Sequence, residues 1–166
     1  MAQLNALSQP EFVSVIGPAF ENSPWIAEST WPKRPFADMA DLHRALCSTV
    51  NQASEDKQLE LILAHPDLAG SAALARTLSS ESTHEQRRAG LDQLTPEEMA
   101  SFQKNNQAYW NKFRFPFIIC ARLNKREAIL RSFPIRLGHS RDEEIKTALE
   151  EIGKIAYLRL SDIVET

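Results

Sequence analysis

A helix-start signal that recurs along the chain constrains the fold more than any other feature. Its clearest copy is Thr-Pro-Glu-Glu at residues 95–98, with a capping hydroxyl, a proline at the first helical position and a glutamate at the third. Ser-Gln-Pro-Glu at residues 8–11 repeats the hydroxyl and the glutamate with a proline inside the first turn, and Ser-Arg-Asp-Glu at residues 140–143 repeats the hydroxyl and the glutamate without a proline. Each copy predicts that a helix follows, because the cap satisfies backbone amides that the first turn of a helix leaves open.

The spacing of the apolar residues also predicts helices. After residue 140 they recur with a period near 3.6, at Ile145, Leu149, Ile152, Ile155 and Leu158. No segment alternates apolar and polar residues over a useful length, and no Asn-Gly or Asp-Gly pair predicts a hairpin. We therefore expect an all-α fold, a single-domain helical bundle of about eight to nine helices over residues 1–166. One of these helices, rich in small residues, is expected at residues 72–78.

The composition excludes several classes of protein. A net charge of -3 provides no basic surface for nucleic acid, and no apolar run approaches the roughly 20 residues that a membrane-spanning helix needs. Cys47 and Cys120 are far apart in apolar surroundings, which is typical of reduced thiols in a cytoplasmic protein. The first residues do not resemble a secretory signal. We expect a cytoplasmic protein with no nucleic-acid or membrane partner.

The first candidate for chemistry is a histidine at the end of an apolar run. Residues 59–64 are mostly apolar and lead into His65, and Pro66 then prevents the helix from continuing. A histidine held at such a break can titrate near neutral pH and transfer protons. The alternative is a structural histidine that donates to the last helix carbonyls or is satisfied in the core.

The second candidate is a polar helix face. Ser82, Glu85 and Gln86 are spaced so that a hydroxyl, a carboxylate and an amide point the same way on a helix. The alternative interpretation is a capping box, because Ser-x-x-Glu is itself a helix-start pattern, although this leaves Gln86 without a role. His84 and Glu85 are adjacent and diverge on a helix, and His-Pro-Asp is not a zinc-ligand spacing, so we expect no metal site.

The third candidate is the apolar, aromatic stretch at residues 115–121. Its backbone amides need partners if the stretch is buried. Either it is a strand-like core segment, or its N–H groups are reserved for a ligand. Periodicity does not separate these two interpretations.

Together, these motifs resemble the OHCU decarboxylase family, whose substrate is 2-oxo-4-hydroxy-4-carboxy-5-ureidoimidazoline. The resemblance lies in His-Pro-Asp-Leu-Ala-Gly at residues 65–70, Ser-Thr-His-Glu-Gln at 82–86, Ala-Gly-Leu at 89–91 and the stretch 109–118 that ends in Phe-Pro-Phe-Ile. It extends to residues 20–25 and 34–36 and to the last helix. It implies decarboxylation of a small-molecule ureide to S-allantoin in urate degradation, by a homodimer that needs no cofactor.

The resemblance also implies roles for individual residues. His65 matches the catalytic histidine, and Pro66 is the ligand-contacting residue beside it. Ser82, Glu85 and Gln86 match the polar face that lines the pocket. The segment whose main chain meets the substrate comprises Phe117, Ile118, Ile119, Cys120 and Ala121. Arg159 would pair with the substrate anion, although a basic residue near a helix C-terminus is also favoured by the helix dipole.

The chemistry implied by the resemblance leads to a mechanistic hypothesis. His65 would act as a general acid/base, and Glu85 would orient and charge it. Two rival classes remain: a non-catalytic helical interaction module, in which these motifs are purely structural, and a metal-assisted ureide hydrolase. The first predicts no concave pocket that gathers His65, Glu85 and Arg159, and the second predicts inhibition by a chelator.

Overall fold

The computed structural model describes residues 1–70 and 78–164. The helix expected at residues 72–78 therefore lies, except for Leu78, outside the described residues. The described residues form nine α-helices: Ala2–Ala6 (α1), Gln9–Ile16 (α2), Trp25–Thr30 (α3), Met39–Gln52 (α4), Glu55–Leu63 (α5), Ser80–Arg88 (α6), Pro96–Phe113 (α7), Arg126–Leu137 (α8) and Arg141–Val164 (α9). Three short 3-10 helices cover Gly17–Ala19, Trp31–Lys33 and Ala121–Leu123. The all-α prediction is confirmed.

The helix-start signals lie where the sequence predicts them. Thr95 caps α7, and its backbone N–H donates to the Glu98 carboxylate at 2.9 Å while the Glu98 N–H donates back to the Thr95 hydroxyl at 3.2 Å. The same reciprocal pair joins Ser140 and Glu143 at the start of α9. These caps fix the residue at which each helix begins, and with it the direction in which every later side chain points.

The first of two structural units comprises Met1–Ala64 and the chain from Gly153 onward. Helix α3 packs on α2 and α4, and α5 packs on α4. The core of this unit includes the fully buried residues Phe12, Ile16, Ile26, Leu42, Leu46 and Leu61. No helix in residues 1–70 or 78–164 is long and apolar enough to cross a membrane.

The second unit comprises His65–Ile152 and has an aromatic core. Helices α7 and α8 pack against each other, and the rings of Phe117 and Phe133 stack with their centroids 3.9 Å apart. The other buried rings of this unit are Phe102, Tyr109, Phe113 and Phe115. All three candidate motifs lie in this unit. The prediction of one domain over residues 1–166 stays a prediction.

Candidate active site

His65 follows directly on the C-terminal cap of α5. The cap residue, Ala64, still donates its N–H to the Glu60 carbonyl at 3.0 Å, and Pro66 ends the helical path two residues later. His65 is only 8% exposed. The side chain is therefore buried at the helix end, as the sequence predicts, and does not face bulk water.

The loop after His65 turns tightly on itself. Ala69 has a φ of +50°. Residues other than glycine adopt this left-handed backbone conformation only when their surroundings hold them in it. At Gly70 a Cβ atom would lie 2.6 Å from the Asp67 Cβ, so only glycine fits without a shift. Burial raises the pKa of the Asp67 carboxyl above its usual range. The loop at residues 66–70 thus has one closely defined path.

The cap of α6 is not the residue that its sequence pattern suggests. The helix begins at Ser80, and the Ser79 hydroxyl accepts the Ser82 N–H at 3.1 Å. The capping-box interpretation of Ser82 and Glu85 is therefore wrong, because Ser82 already lies inside the helix. Ser82, Glu85 and Gln86 are instead buried, at 5%, 9% and 6% exposure, on one face of α6. A hydroxyl, a carboxylate and an amide are stable in a buried position only when they have polar partners.

Gln86 connects α6 to the loop after His65. Its Oε1 accepts the Ala69 N–H at 3.0 Å, and its Nε2 donates to the Asp67 carbonyl at 3.3 Å. Sequence reasoning left this role unassigned. Since a carboxamide oxygen can accept two hydrogen bonds and its nitrogen can donate two, these bonds leave capacity for a ligand.

Asn106 on α7 is a further contact that sequence reasoning did not assign. Its Nδ2 donates to the Leu68 carbonyl at 2.9 Å, and the residue is 8% exposed. The available signal was a polar residue on an otherwise apolar helical stripe, since Asn106 shares its face with Phe102, Tyr109 and Phe113. Such a residue in a core requires a specific partner.

The segment at residues 117–121 is buried except at Ile119, which is partly exposed, and its main chain has charged partners. The Cys120 N–H donates to the Glu151 carboxylate at 2.8 Å, and Arg136 donates to the Ile118 carbonyl. Glu151 is 8% exposed and Arg136 is 6% exposed. Most side chains of the segment therefore lie in the core, as one of the two interpretations predicts. The Cys120 N–H and the Ile118 carbonyl are bonded to charged side chains and not to a neighbouring strand.

Arg136 is fixed in turn by a buried carboxylate. Its Nη2 lies 2.8 Å from Glu144, which is fully buried, and its Nε donates to the same carboxylate at 2.9 Å. Glu144 also accepts from the Tyr109 hydroxyl and lies 2.7 Å from the His139 ring. Burial, followed by the hydrogen bond to Glu144, raises the pKa of Tyr109 far above its usual range, so the phenol stays a donor.

Helix α6 also lies against the end of the third candidate segment. It packs on Ala121–Leu123. Burial raises the pKa of the Cys120 thiol, and the negative charges of Glu151 and Glu85 raise it further. Gln86 of α6 binds the loop after His65, and Glu85 of the same helix is close enough to Cys120 to act on its charge. The second unit therefore brings the three predicted motifs together around one helix.

Arg159 lies in the first unit, where it forms a buried ion pair. Its Nη1 lies 2.9 Å from the Glu21 carboxylate and donates to the Pro18 carbonyl at 3.4 Å. Both members of the pair are buried, at 5% and 6% exposure. The last turn of α9 contains no basic residue, so the dipole explanation for Arg159 does not apply.

No group of three or more histidine, cysteine, aspartate or glutamate side chains within residues 1–70 and 78–164 is arranged to hold a metal ion. The only cysteines of the chain, Cys47 and Cys120, are both free thiols. The buried polar side chains of α6 are an acid, an amide and a hydroxyl, and the loop that Gln86 binds begins at the buried His65. Such groups can hydrogen-bond a flat polar ligand and exchange protons with it.

Comparison with known proteins identifies the family. The sequence model of the OHCU decarboxylase family matches residues 5–161. The 2-oxo-4-hydroxy-4-carboxy-5-ureidoimidazoline decarboxylase of Halalkalicoccus jeotgali is 42% identical over 161 residues, which are 96% of this chain and 89% of that protein. The enzyme of the same name from Amia calva is 39% identical and covers 99% of this chain, which in turn covers 94% of it.

The fold gives the same result. The crystal structure of an (S)-allantoin synthase matches 98% of this chain with a TM-score of 0.78 and 29% identity. This chain covers 53% of that protein, about half of its length. Since the family match includes all three motifs around α6 and nearly the whole sequence, the chain belongs to the OHCU decarboxylase family of enzymes.

Proposed function

We propose that this chain catalyses the decarboxylation of 2-oxo-4-hydroxy-4-carboxy-5-ureidoimidazoline to S-allantoin and CO2 in urate degradation. The observation that carries the proposal is the meeting of the loop after His65, the polar face of α6 and residues 117–121 within one unit. Membership of the OHCU decarboxylase family supports the choice of substrate.

The substrate itself supplies the electron acceptor for the reaction. Its carboxylate is attached to a carbon next to a ring imine. When the carbon–carbon bond breaks and CO2 leaves, the electron pair enters that imine, whose nitrogen takes up a proton. The ring hydroxyl then loses a proton, and the carbon bearing the ureido group gains one. Because the acceptor is already present, the proposal includes no electron-sink cofactor such as pyridoxal or thiamine.

In this proposal His65 moves the protons. An imidazole with an ordinary pKa of about 6.5 can both accept and donate a proton at neutral pH. Its burial supports the role, because proton transfer inside a site is shielded from bulk water. Glu85 would orient and charge His65, as carboxylates do in other proton-transfer sites. Delivery of the proton to one face would yield a single enantiomer of allantoin.

The remaining site residues are assigned to binding. Pro66, Ser82, Gln86 and the main chain of residues 117–121 would contact the planar ureide. Arg159 is assigned to the substrate anion, for which its fork-shaped guanidinium is suited. A homodimer, as the resemblance implies, and a cytoplasmic location, supported by two free cysteines, complete the proposal.

The experiment that tests the proposal generates the substrate in situ from urate and follows optically active allantoin by circular dichroism. Wild-type protein should speed its appearance. His65→Asn should remain folded yet lose about 100- to 10,000-fold of that rate, as expected when a general acid/base is removed. His84→Asn is the matched control, because His84 is exposed on the same helix as Glu85 and should leave the rate unchanged.

Three outcomes would contradict parts of the proposal. Wild-type protein that gives no acceleration would favour a helical interaction module. Loss of activity with a chelator would favour a metal-assisted hydrolase. Near-native turnover by His65→Asn would remove His65 from the mechanism.

A further inference from the structure

We infer that Asn106 is a positioning residue for the proposed decarboxylation, holding the loop after His65 in place through the Leu68 carbonyl. The inference rests on the proposed function and adds a residue to which the family resemblance assigned no role. It is carried by a buried hydrogen bond of 2.9 Å from Asn106 Nδ2 to that carbonyl, 38 positions away along the chain.

Asn106 projects from a helix whose two ends are both fixed. Thr95 and Glu98 cap the start of α7, and Arg114 ends it in a left-handed conformation with its N–H bonded to the Trp110 carbonyl at 2.9 Å. Phe102 and Tyr109, both fully buried, lie on the same face of the helix as Asn106. The amide is therefore presented to the loop from a rigid support.

The loop receives amide hydrogen bonds at three successive residues. Gln86 binds the Asp67 carbonyl and the Ala69 N–H, and Asn106 binds the Leu68 carbonyl between them. Side chains from two helices thus hold the loop. This double hold accounts for the persistence of the left-handed backbone at Ala69.

The anchor lies close enough to His65 to control it. Leu68 is three residues after His65, and the first of the intervening residues is Pro66, whose ring fixes its own φ. A displacement of the Leu68 carbonyl therefore passes to His65 through a short and stiff length of chain. Small displacements matter in catalysis, since misplacing a catalytic group by about 1 Å can cost about 100-fold in rate.

Packing alone does not account for an asparagine at this position. Asn106 Oδ1 is buried and has no hydrogen-bond partner among the described residues, which destabilises the folded state. A leucine has a similar shape and would fill the same space without an unsatisfied oxygen. The oxygen of the Asn106 amide thus lowers the stability of the folded state. The favourable contribution of the amide comes from the N–H group that donates to the Leu68 carbonyl.

Asn106→Leu tests the inference because it keeps the shape and removes the donor. The expected variant folds with a cooperative melting transition and wild-type far-UV circular dichroism, yet shows a kcat about 10- to 100-fold lower with a smaller change in KM. Asn106→Ser is a smaller, polar second variant for the case in which the leucine does not fold. Asn111→Leu, at an exposed site on the same helix, is the matched control and should keep the wild-type kcat.

A second measurement separates positioning from general destabilisation. In the His65→Asn background, Asn106→Leu should lower the remaining rate no further, because a residue that acts through His65 has nothing left to position. The titration of the His65 imidazole, followed by NMR in the otherwise wild-type protein, should also shift in Asn106→Leu. A purely structural role would leave that titration unchanged.

The outcomes distinguish this inference from the proposed function. If wild-type protein accelerates the reaction and the folded Asn106→Leu variant retains its kcat, the inference is overturned and the function stands. If Asn106→Leu lowers the rate equally with and without His65, Asn106 does not act through His65. If wild-type protein gives no acceleration, the proposed function fails. In that case an unshifted His65 titration in Asn106→Leu would show that the hydrogen bond to Leu68 does not set the position of His65.

Discussion

The loop at residues 65–70 and the segment at residues 117–121 both lie against α6, yet they are held by different chemistry. Neutral amides hold the loop, through Gln86 and Asn106. Ionised groups hold the segment, through Arg136 on the Ile118 carbonyl and Glu151 on the Cys120 N–H. The comparison separates two ways of fixing a backbone that has no strand partner.

The two kinds of hold differ in what happens when one member is removed. A neutral hydrogen bond contributes about 1 kcal/mol net, so the loss of one leaves most of the folded state intact. A buried charge costs far more when it loses its partner, because it cannot recover its hydration. We therefore expect changes around the loop to alter the rate more than the stability, and changes around the segment to alter the stability more than the rate.

The largest expected effect is that of Glu144→Ala. This variant leaves the buried Arg136 guanidinium without its carboxylate and removes the acceptor of Tyr109. We expect the free energy of unfolding to fall by about 3–5 kcal/mol, measured by urea denaturation. Glu150→Ala, at an exposed site on the same helix, should change it by less than about 0.5 kcal/mol. Equal, small losses in both variants would break the distinction between the two regions.

Tyr109→Phe is expected to have an intermediate effect, because it removes one donor from the Glu144 carboxylate and leaves the ion pair. The free energy of unfolding should fall by about 1.5–3 kcal/mol, the range for a hydrogen bond to a charged group. Tyr157→Phe, a half-exposed tyrosine in the first unit, is the control and should cost less.

The same variant has a characteristic dependence on alkaline pH. Because the pKa of Tyr109 is raised in the folded protein, its contribution is fully present below pH ~10, where the tyrosine of the unfolded chain ionises, and is lost as pH rises further. Wild-type protein should therefore lose stability more steeply than Tyr109→Phe above pH ~10. Parallel curves for the two proteins would show that the phenol is not protected by its burial.

The smallest expected effect is that of Asp67→Asn, within the loop. Burial raises the pKa of Asp67, so its contribution to stability is fully present below pH ~4 and is lost as pH rises through the folded-state pKa. At pH 7 the asparagine variant should match or exceed wild-type stability by about 0.5 kcal/mol or less, and this gain should vanish near pH 3. Asp92→Asn, at an exposed site, should show no such gain. A loss of stability in Asp67→Asn at neutral pH would mean that the loop depends on a charge after all.

Local patterns were sufficient to predict the helices and the position of His65, because caps, prolines and apolar spacing act within a few residues. Ser82 was harder to place, because four of the six residues at 78–83 carry hydroxyl groups and any of several could serve as the cap. In the structure Ser79 is the cap, and with the helix beginning at Ser80 the face of Ser82, Glu85 and Gln86 is buried.

The groups that hold the two regions could not be predicted from spacing. Glu144 follows Arg136 by eight residues across a helix boundary, and Glu151 is 31 residues from Cys120. Taken alone, the sequence around Arg136, Glu144 or Glu151 is typical of a charged residue on an exposed helix face. Their roles arise only when α8 and α9 are brought to the segment by tertiary packing.

The two anchoring residues of α7 are one helical turn apart, and this has a consequence for changes in chain length. Asn106 reaches the loop and Tyr109 reaches the Glu144 network, from the same face of one helix. One residue inserted between them would rotate Tyr109 by about 100° around the helix axis relative to Asn106. Moving the helix along or around its axis could not restore both contacts at once. The helical repeat of α7 therefore fixes the number of residues between Asn106 and Tyr109. A one-residue insertion or deletion between positions 106 and 109 should therefore not be tolerated.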